Sequence, residues 1–125
     1  MKTITVLCNA SLLSIISVPI ELSEPLIWND EPVFAAVFDE DKLLQFSEEQ
    51  LDEKHGWWRE ITGSQVDWEN VTWSRSAAAG NPDGIFGWIM ETFSLSQPRN
   101  VAAVIGDIAD QEGMTPVQLF TQLAK

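Results

Sequence analysis

Tyrosine is absent, cysteine and histidine occur once each, and only 7 of 125 residues are Lys or Arg. A lone cysteine, Cys8, cannot close an internal disulfide or supply a paired-cysteine zinc site, so nothing points to an oxidising compartment. A lone imidazole, His55, leaves little for general acid–base chemistry, which needs a nucleophile or substrate held beside the base. The chain also lacks a Gly-rich phosphate cradle, a His-Glu-x-x-His pair and a Gly-x-Ser-x-Gly elbow, and with them the commonest enzyme signatures. The shortage of cations argues against direct nucleic-acid binding, whose affinity rests largely on Lys and Arg contacts to phosphate. Long apolar runs are missing too. The stretch 4–20 is interrupted by Asn9, Ser11, Ser14 and Pro19 and lacks a small-x-small cleavage site, so neither a membrane span nor a secretory leader is expected, and the expected location is cytoplasmic.

What the chain has in excess is carboxylate. Of 19 Asp and Glu, 14 fall between Glu21 and Glu69, against Lys42, Lys54 and Arg59, so this stretch carries 11 of the 12 net negative charges. One-signed charge at that density sets up a potential that reaches past contact distance, repelling nucleic acid and anionic membrane and drawing in basic protein surfaces. The rest of the composition is ordinary for a globular protein. With 45% hydrophobic residues, six Trp and six Phe, the chain can bury one core and is too short for two comfortable ones, so a single domain over 1–125 is expected.

The order of local signals gives an α+β fold: an N-terminal antiparallel sheet with packed helices, β-rich over 1–75, then a C-terminal helical portion over 84–125. Thr3–Cys8 is β-branched and apolar, Asn9-Ala10 can turn, and Leu12–Leu22 reads as a second strand. Leu26–Trp28 is a short apolar piece, and Val33–Phe38 is a third strand, ended by the mutual repulsion of Asp39-Glu40-Asp41. Ser47 with Gln50 fits a capping box, and Glu48 and Glu49 suit the positive end of a helix dipole, so the spacing predicts a helix from Glu48 to about Ile61. Gly63-Ser64 breaks the chain, Val66–Trp73 alternates as a strand with a slip at Asn70, and 76–84, rich in turn formers, reads as a loop. Helices follow over Ile85–Phe93 and Val101–Gln111, and Thr115-Pro116 opens a last one through Ala124.

Each chemistry-bearing residue has a plain reading beside the functional one. His55, next to Glu53 and Lys54, reads first as a solvated surface group; Cys8, in an apolar strand, reads as a buried inert thiol rather than as half of a Cys8–His55 dyad. A calcium loop starting at Asp39 has Asp41 in place but Leu44 where glycine is needed and Gln50 where glutamate is needed, so no metal and no cofactor are expected. A small carboxylate-dependent hydrolase stays as a weaker alternative. Trp57 and Trp58, adjacent on the expected helix, would point about 100° apart. One of them should then be partly exposed and could anchor a partner inside a rim of Glu49, Asp52, Glu53 and Glu60.

Two resemblances bear on function. Ile108–Leu119 resembles the helix-turn-helix unit: Ala109 stands four residues before Gly113, Ile108, Met114 and Leu119 are apolar at the joint, and Pro116 opens the second helix. That implies a DNA-binding regulator using residues 101–124, although the helix that would read bases offers Gln118, Thr121 and Gln122 and no cation before Lys125. In size and charge the chain is similar to small anionic inhibitors of restriction or CRISPR machinery and to immunity proteins that neutralise nuclease toxins. This second likeness, one of composition, implies a non-enzymatic inhibitor, in the limit a DNA mimic. It would dock on a basic surface of a nucleic-acid-binding protein or nuclease and touch neither nucleic acid nor membrane itself. The candidate contacts are Asp30, Glu31, Asp39, Glu40, Asp41, Glu48, Glu49, Asp52 and Glu53, with Trp57 or Trp58 adding apolar contact. Any one of these acids reads as a solubilising surface group, and only their density carries the collective reading.

Overall fold

Strand pairing around β1 (Thr3–Asn9) organises the chain, which the computed structural model describes over residues 2–16, 18–47, 52, 54–62, 68 and 71–124. β1 pairs antiparallel along its whole length with β4 (Glu31–Asp39), Thr3 opposite Asp39 and Asn9 opposite Val33. On its other side β1 takes β5 (Trp58–Glu60), Cys8 opposite Trp58. The outer edge of β4 is covered in two pieces, β2 (Glu21–Leu22) and β3 (Leu26–Trp28). Pro25 falls between them, where a residue without an N–H costs no ladder bond. β3 turns into β4 through Asn29-Asp30 at φ 51° and 62°, the left-handed pair that a two-residue hairpin of matching twist requires and that Asn and Asp tolerate well.

The two-residue period of the strands sends side chains to both faces, and both faces are covered. Ile4, Val6, Cys8, Ala36 and Phe38 pack with Leu12 of α1 (Ala10–Ile15) and Leu43 of α2 (Glu40–Leu43). Leu7, Val33 and Ala35 face the other way, beneath α3 (Arg75–Ala79), α4 (Gly84–Thr92), α5 (Val101–Glu112) and α6 (Pro116–Leu123). On that side Leu119 and Phe120 of α6 are fully buried, and Phe120 meets Phe86 of α4 edge to face at 6.0 Å. Each such side chain stabilises the fold by about 1.5–3 kcal/mol, so the sheet is held from both sides. The result is the expected α+β architecture with its helical C-terminal half.

Several elements differ from the sequence reading, each for a tertiary reason. Leu12–Leu22 is not one strand. Residues 10–15 are helical because the Asn9 side chain caps them, and the four-residue spacing of Leu12 and Ile16 puts both on the sheet. The helix expected to end near Ile61 is absent over its described part: Lys54-His55 turn, Gly56 has φ 90°, and Trp58–Glu60 is a strand. Its start at Glu48 lies outside the described residues, as do Gly63-Ser64 and the slip at Asn70. Of the expected strand Val66–Trp73, the described residues, Trp68 and 71–73, have no regular structure. Within 76–84, three alanines extend α3, capped by the Ser74 hydroxyl, which accepts the Ala77 N–H at 3.1 Å.

One polar side chain ties the sheet to what covers it. Asn9 is fully buried; its Oδ1 accepts the Leu12 N–H at 3.3 Å and the Trp57 N–H at 3.1 Å, and its Nδ2 donates to Glu31 Oε1 at 2.6 Å. Gly56 lets the return to β5 pass directly over α1: a Cβ there would lie 2.6 Å from the Leu12 backbone nitrogen. Asn9→Ala leaves two backbone donors unpaired in the interior and should lower the unfolding free energy by about 2–4 kcal/mol. Gly56→Ala combines that clash with a left-handed backbone and should cost more than about 2 kcal/mol. Urea unfolding checks both; midpoints within error of the parent would mean that this junction does not hold the fold.

Candidate functional site

The described acids divide along β4. Asp30 and Glu31 sit at the hairpin end, to which Gly56 and Trp57 return from Asp52, while Asp39, Glu40 and Asp41 sit at the far end of the same nine-residue strand. At about 3.3 Å per residue the two groups are about 26 Å apart. Glu48, Glu49 and Glu53 lie outside the described residues. Several of the remaining acids have internal work: Glu31 accepts from Asn9, Asp39 caps α2 by accepting the Asp41 N–H at 3.0 Å, and Glu40 pairs with Lys2 at 3.7 Å. Asp52 accepts from His55 Nδ1 at 2.9 Å and from the Lys54 N–H, bonds that hold its carboxyl below the usual value. Asp30 and Asp41 are exposed.

Neither Trp57 nor Trp58 is exposed, which corrects the expectation that one would anchor a partner. In an extended chain neighbours point to opposite faces, and each face here has its own apolar layer. Trp57 packs beneath the C-terminal helices at 2% exposure; Trp58 packs on the α1–α2 side at 3%, donating from Nε1 to the Phe46 carbonyl. The other described tryptophans are structural as well. Trp73, Trp88, Phe93 and Trp68 form a run of edge-on ring contacts, and Trp73 and Trp68 donate to Glu112 and Asp107 of α5 at 2.7 and 2.8 Å. The large apolar side chains that do reach solvent include Val18, Ile20, Leu22 and Ile27 along the β2–β3 edge.

The sequence reading missed a groove. Between the Asn29-Asp30 turn and the Pro82-Asp83-Gly84 turn lies a cavity of about 540 Å3, floored by Leu26, Ala78, Ile85, Phe86 and Leu123. Its walls are pinned. The Asn81 amide accepts the Asp83 N–H at 2.9 Å and donates to Glu91 Oε2 at 2.9 Å, and the loop fits against α4 because residue 87 is glycine, where a Cβ would sit 2.3 Å from Asn81 Oδ1. Arg75 also lines the groove, its guanidinium engaged by Gln122 at 2.7 Å and Glu112 at 3.5 Å. Asp30 and Asp83 are among its lining residues, and the Asp83 side chain makes no capping hydrogen bond to α4.

Compared with known proteins, the chain matches no protein-family model, no curated protein and no solved structure. Its chemistry is therefore read from the geometry alone. α5 and α6 do form a hairpin through Gly113 at φ 68°. α6, however, packs on β4, and the side chains that would read bases each make a hydrogen bond within the chain at its surface: Gln118 with the Thr115 N–H, Thr121 with the Glu24 N–H, Gln122 with Arg75. Among the described residues no three His, Cys, Asp or Glu are grouped to hold a metal, and no helix is long and apolar enough to cross a membrane.

Burial pushes the Cys8 thiol up to about 12 from its ordinary 9.0, so no thiolate is present at neutral pH for a dyad with the exposed His55. A thiol reagent should leave the native chain unlabelled and react once urea is added. Above pH 9.0 the unfolded thiol ionises while the folded one holds its proton to about 12. Stability therefore falls with rising pH in that window, by up to about 1.4 kcal/mol per unit. Cys8→Ala should lack this component of the slope, and identical slopes in parent and variant would contradict the assignment.

Proposed function

We propose that this chain is a non-enzymatic binder of a basic protein surface, in the manner of an anionic inhibitor or immunity protein acting on a nucleic-acid-handling partner in the cytoplasm. The observation that carries the reading is the excess of one sign of charge in one stretch of the chain. The stretch from Glu21 to Glu69 holds 14 acids against 3 cations. Of those cations Lys42 and Lys54 are exposed, and Arg59 is held in the sheet opposite Leu7. The described contacts that touch the stretch are Lys2–Glu40, with an exposed lysine at 3.7 Å, and the exposed His55–Asp52 hydrogen bond, and such surface contacts are worth little in water. The field of the acids is thus available to an outside partner, steering its approach and selecting its sign.

A DNA-reading role for the α5–α6 hairpin draws no such support, because its polar side chains already have partners and the surrounding charge repels phosphate.

The experiment is a capture from host lysate at about 50 mM salt, release at about 500 mM, and rate measurements on the purified partner. Asp30→Asn with Asp41→Asn removes two exposed charges and keeps at position 30 a residue that tolerates the left-handed turn. The pair should slow association by about tenfold and flatten its salt dependence, with the thermal midpoint within about 2 °C of the parent. Unchanged association rates, or duplex DNA bound more tightly as salt falls, would reject the reading.

A further inference from the structure

The hairpin end of β4 has a groove beside it, and that shape suits one kind of occupant. Resting on the reading that the partner is basic, we propose that the groove between Asn29-Asp30 and Pro82-Asp83-Gly84 is the anchor pocket for an arginine- or lysine-bearing segment of that partner, its aliphatic part on Ile85, Phe86 and Leu123 and its cation held by Asp30 and Asp83.

The chemistry of the lining selects this occupant. An apolar floor between two turns that each carry an aspartate matches a side chain that is a hydrocarbon stem for most of its length and a cation at its tip. A purely apolar ligand would strip water from both carboxylates without pairing them, at a cost of several kcal/mol. An anion would meet Asp30 and Asp83 with no uncommitted cation to offset them, because Arg75 is already engaged by Glu112 and Gln122. The cavity of about 540 Å3 falls in the range of sites that enclose a small ligand, so it takes a side chain together with an apolar neighbour. Preorganisation adds to this: the left-handed hairpin turn and the Asn81 bonds to Asp83 and Glu91 hold both walls before anything binds. The field of the whole acidic stretch brings a basic surface near, and the groove decides which residue of it is gripped.

Amide chemical-shift titration with the blocked tripeptide Leu-Arg-Leu, and with Leu-Glu-Leu as its control, tests the proposal directly. The arginine peptide should shift the amides of Asp30, Gly84 and Ile85 at low salt, and the glutamate peptide should not. Ala79→Trp places a bulky ring from an exposed lining position into the groove without changing charge; Asp30→Asn with Asp83→Asn removes the charge and keeps the shape. Each should weaken the arginine peptide by about tenfold. If Ala79→Trp disturbs the spectrum beyond the groove, the Asn pair alone decides. Full affinity in the altered chain, or shifts centred on Asp39–Asp41 instead, would overturn the groove assignment while leaving the broader acidic-binder reading in place. Equal response to both peptides, or none to either, would likewise overturn the groove assignment.

Discussion

A single buried amide, Asn9, carries the junction on which the rest of the architecture depends. It stands where β1 stops, and its side chain caps α1, receives the chain returning to β5 and reaches across to Glu31 at the start of β4. A polar group at 0% exposure is tolerable only when its hydrogen-bonding capacity is used, and here donor and acceptor both are. Because the three contacts come from chain segments up to 48 residues apart, satisfying one amide forces α1, β5 and β4 into one relative placement. Gly56 is the steric counterpart of that bond: only a residue without Cβ lets the β5 approach lie on the α1 backbone.

That junction determines where charge can go. With apolar layers on both faces of the sheet, β1 and β4 have no solvent-facing side, and the tryptophans of the return strand are divided between the two layers. Carboxylates on these segments are therefore displaced to the strand ends and turns, where water reaches them. The acidic field is partly a consequence of burying so much apolar surface on a short sheet. What the burial does not explain is the imbalance of sign, since lysines would solvate the same turns equally well.

Legibility in the sequence followed the range of the deciding contacts. α4, α5 and α6 were readable because their apolar period and, for α6, the Thr115-Pro116 start lie within one window. β1 and β4 were readable because both are apolar runs long enough to be strands on their own. α1 was not, since Ile15, Ile16, Val18 and Ile20 favour extended backbone locally, and only the Asn9 cap and the burial of Leu12 and Ile16 overrule them. β5 was misread for the same reason: three residues take strand form from their pairing to β1, although Gly56 already marked a break. The candidate surface shows the sharpest contrast. Charge density was visible in the composition, but the groove is made by two turns more than 50 residues apart, and no local window contains both.

The division between field and groove follows from distance dependence. Screened charge acts over about 10 Å at moderate salt, so the acids at either end of β4 would influence the approach and orientation of the proposed basic partner whether or not they touch it. Specific recognition needs contacts that exclude water, and flexible exposed carboxylates on open turns supply few of these. A rigid concavity with an apolar floor does supply them, because desolvation strengthens each charge pair formed inside it. Mutations on open turns should therefore alter rates of encounter, and mutations in the groove should alter lifetimes of the complex. A protein whose acids merely kept it in solution would have no physical reason to show that separation.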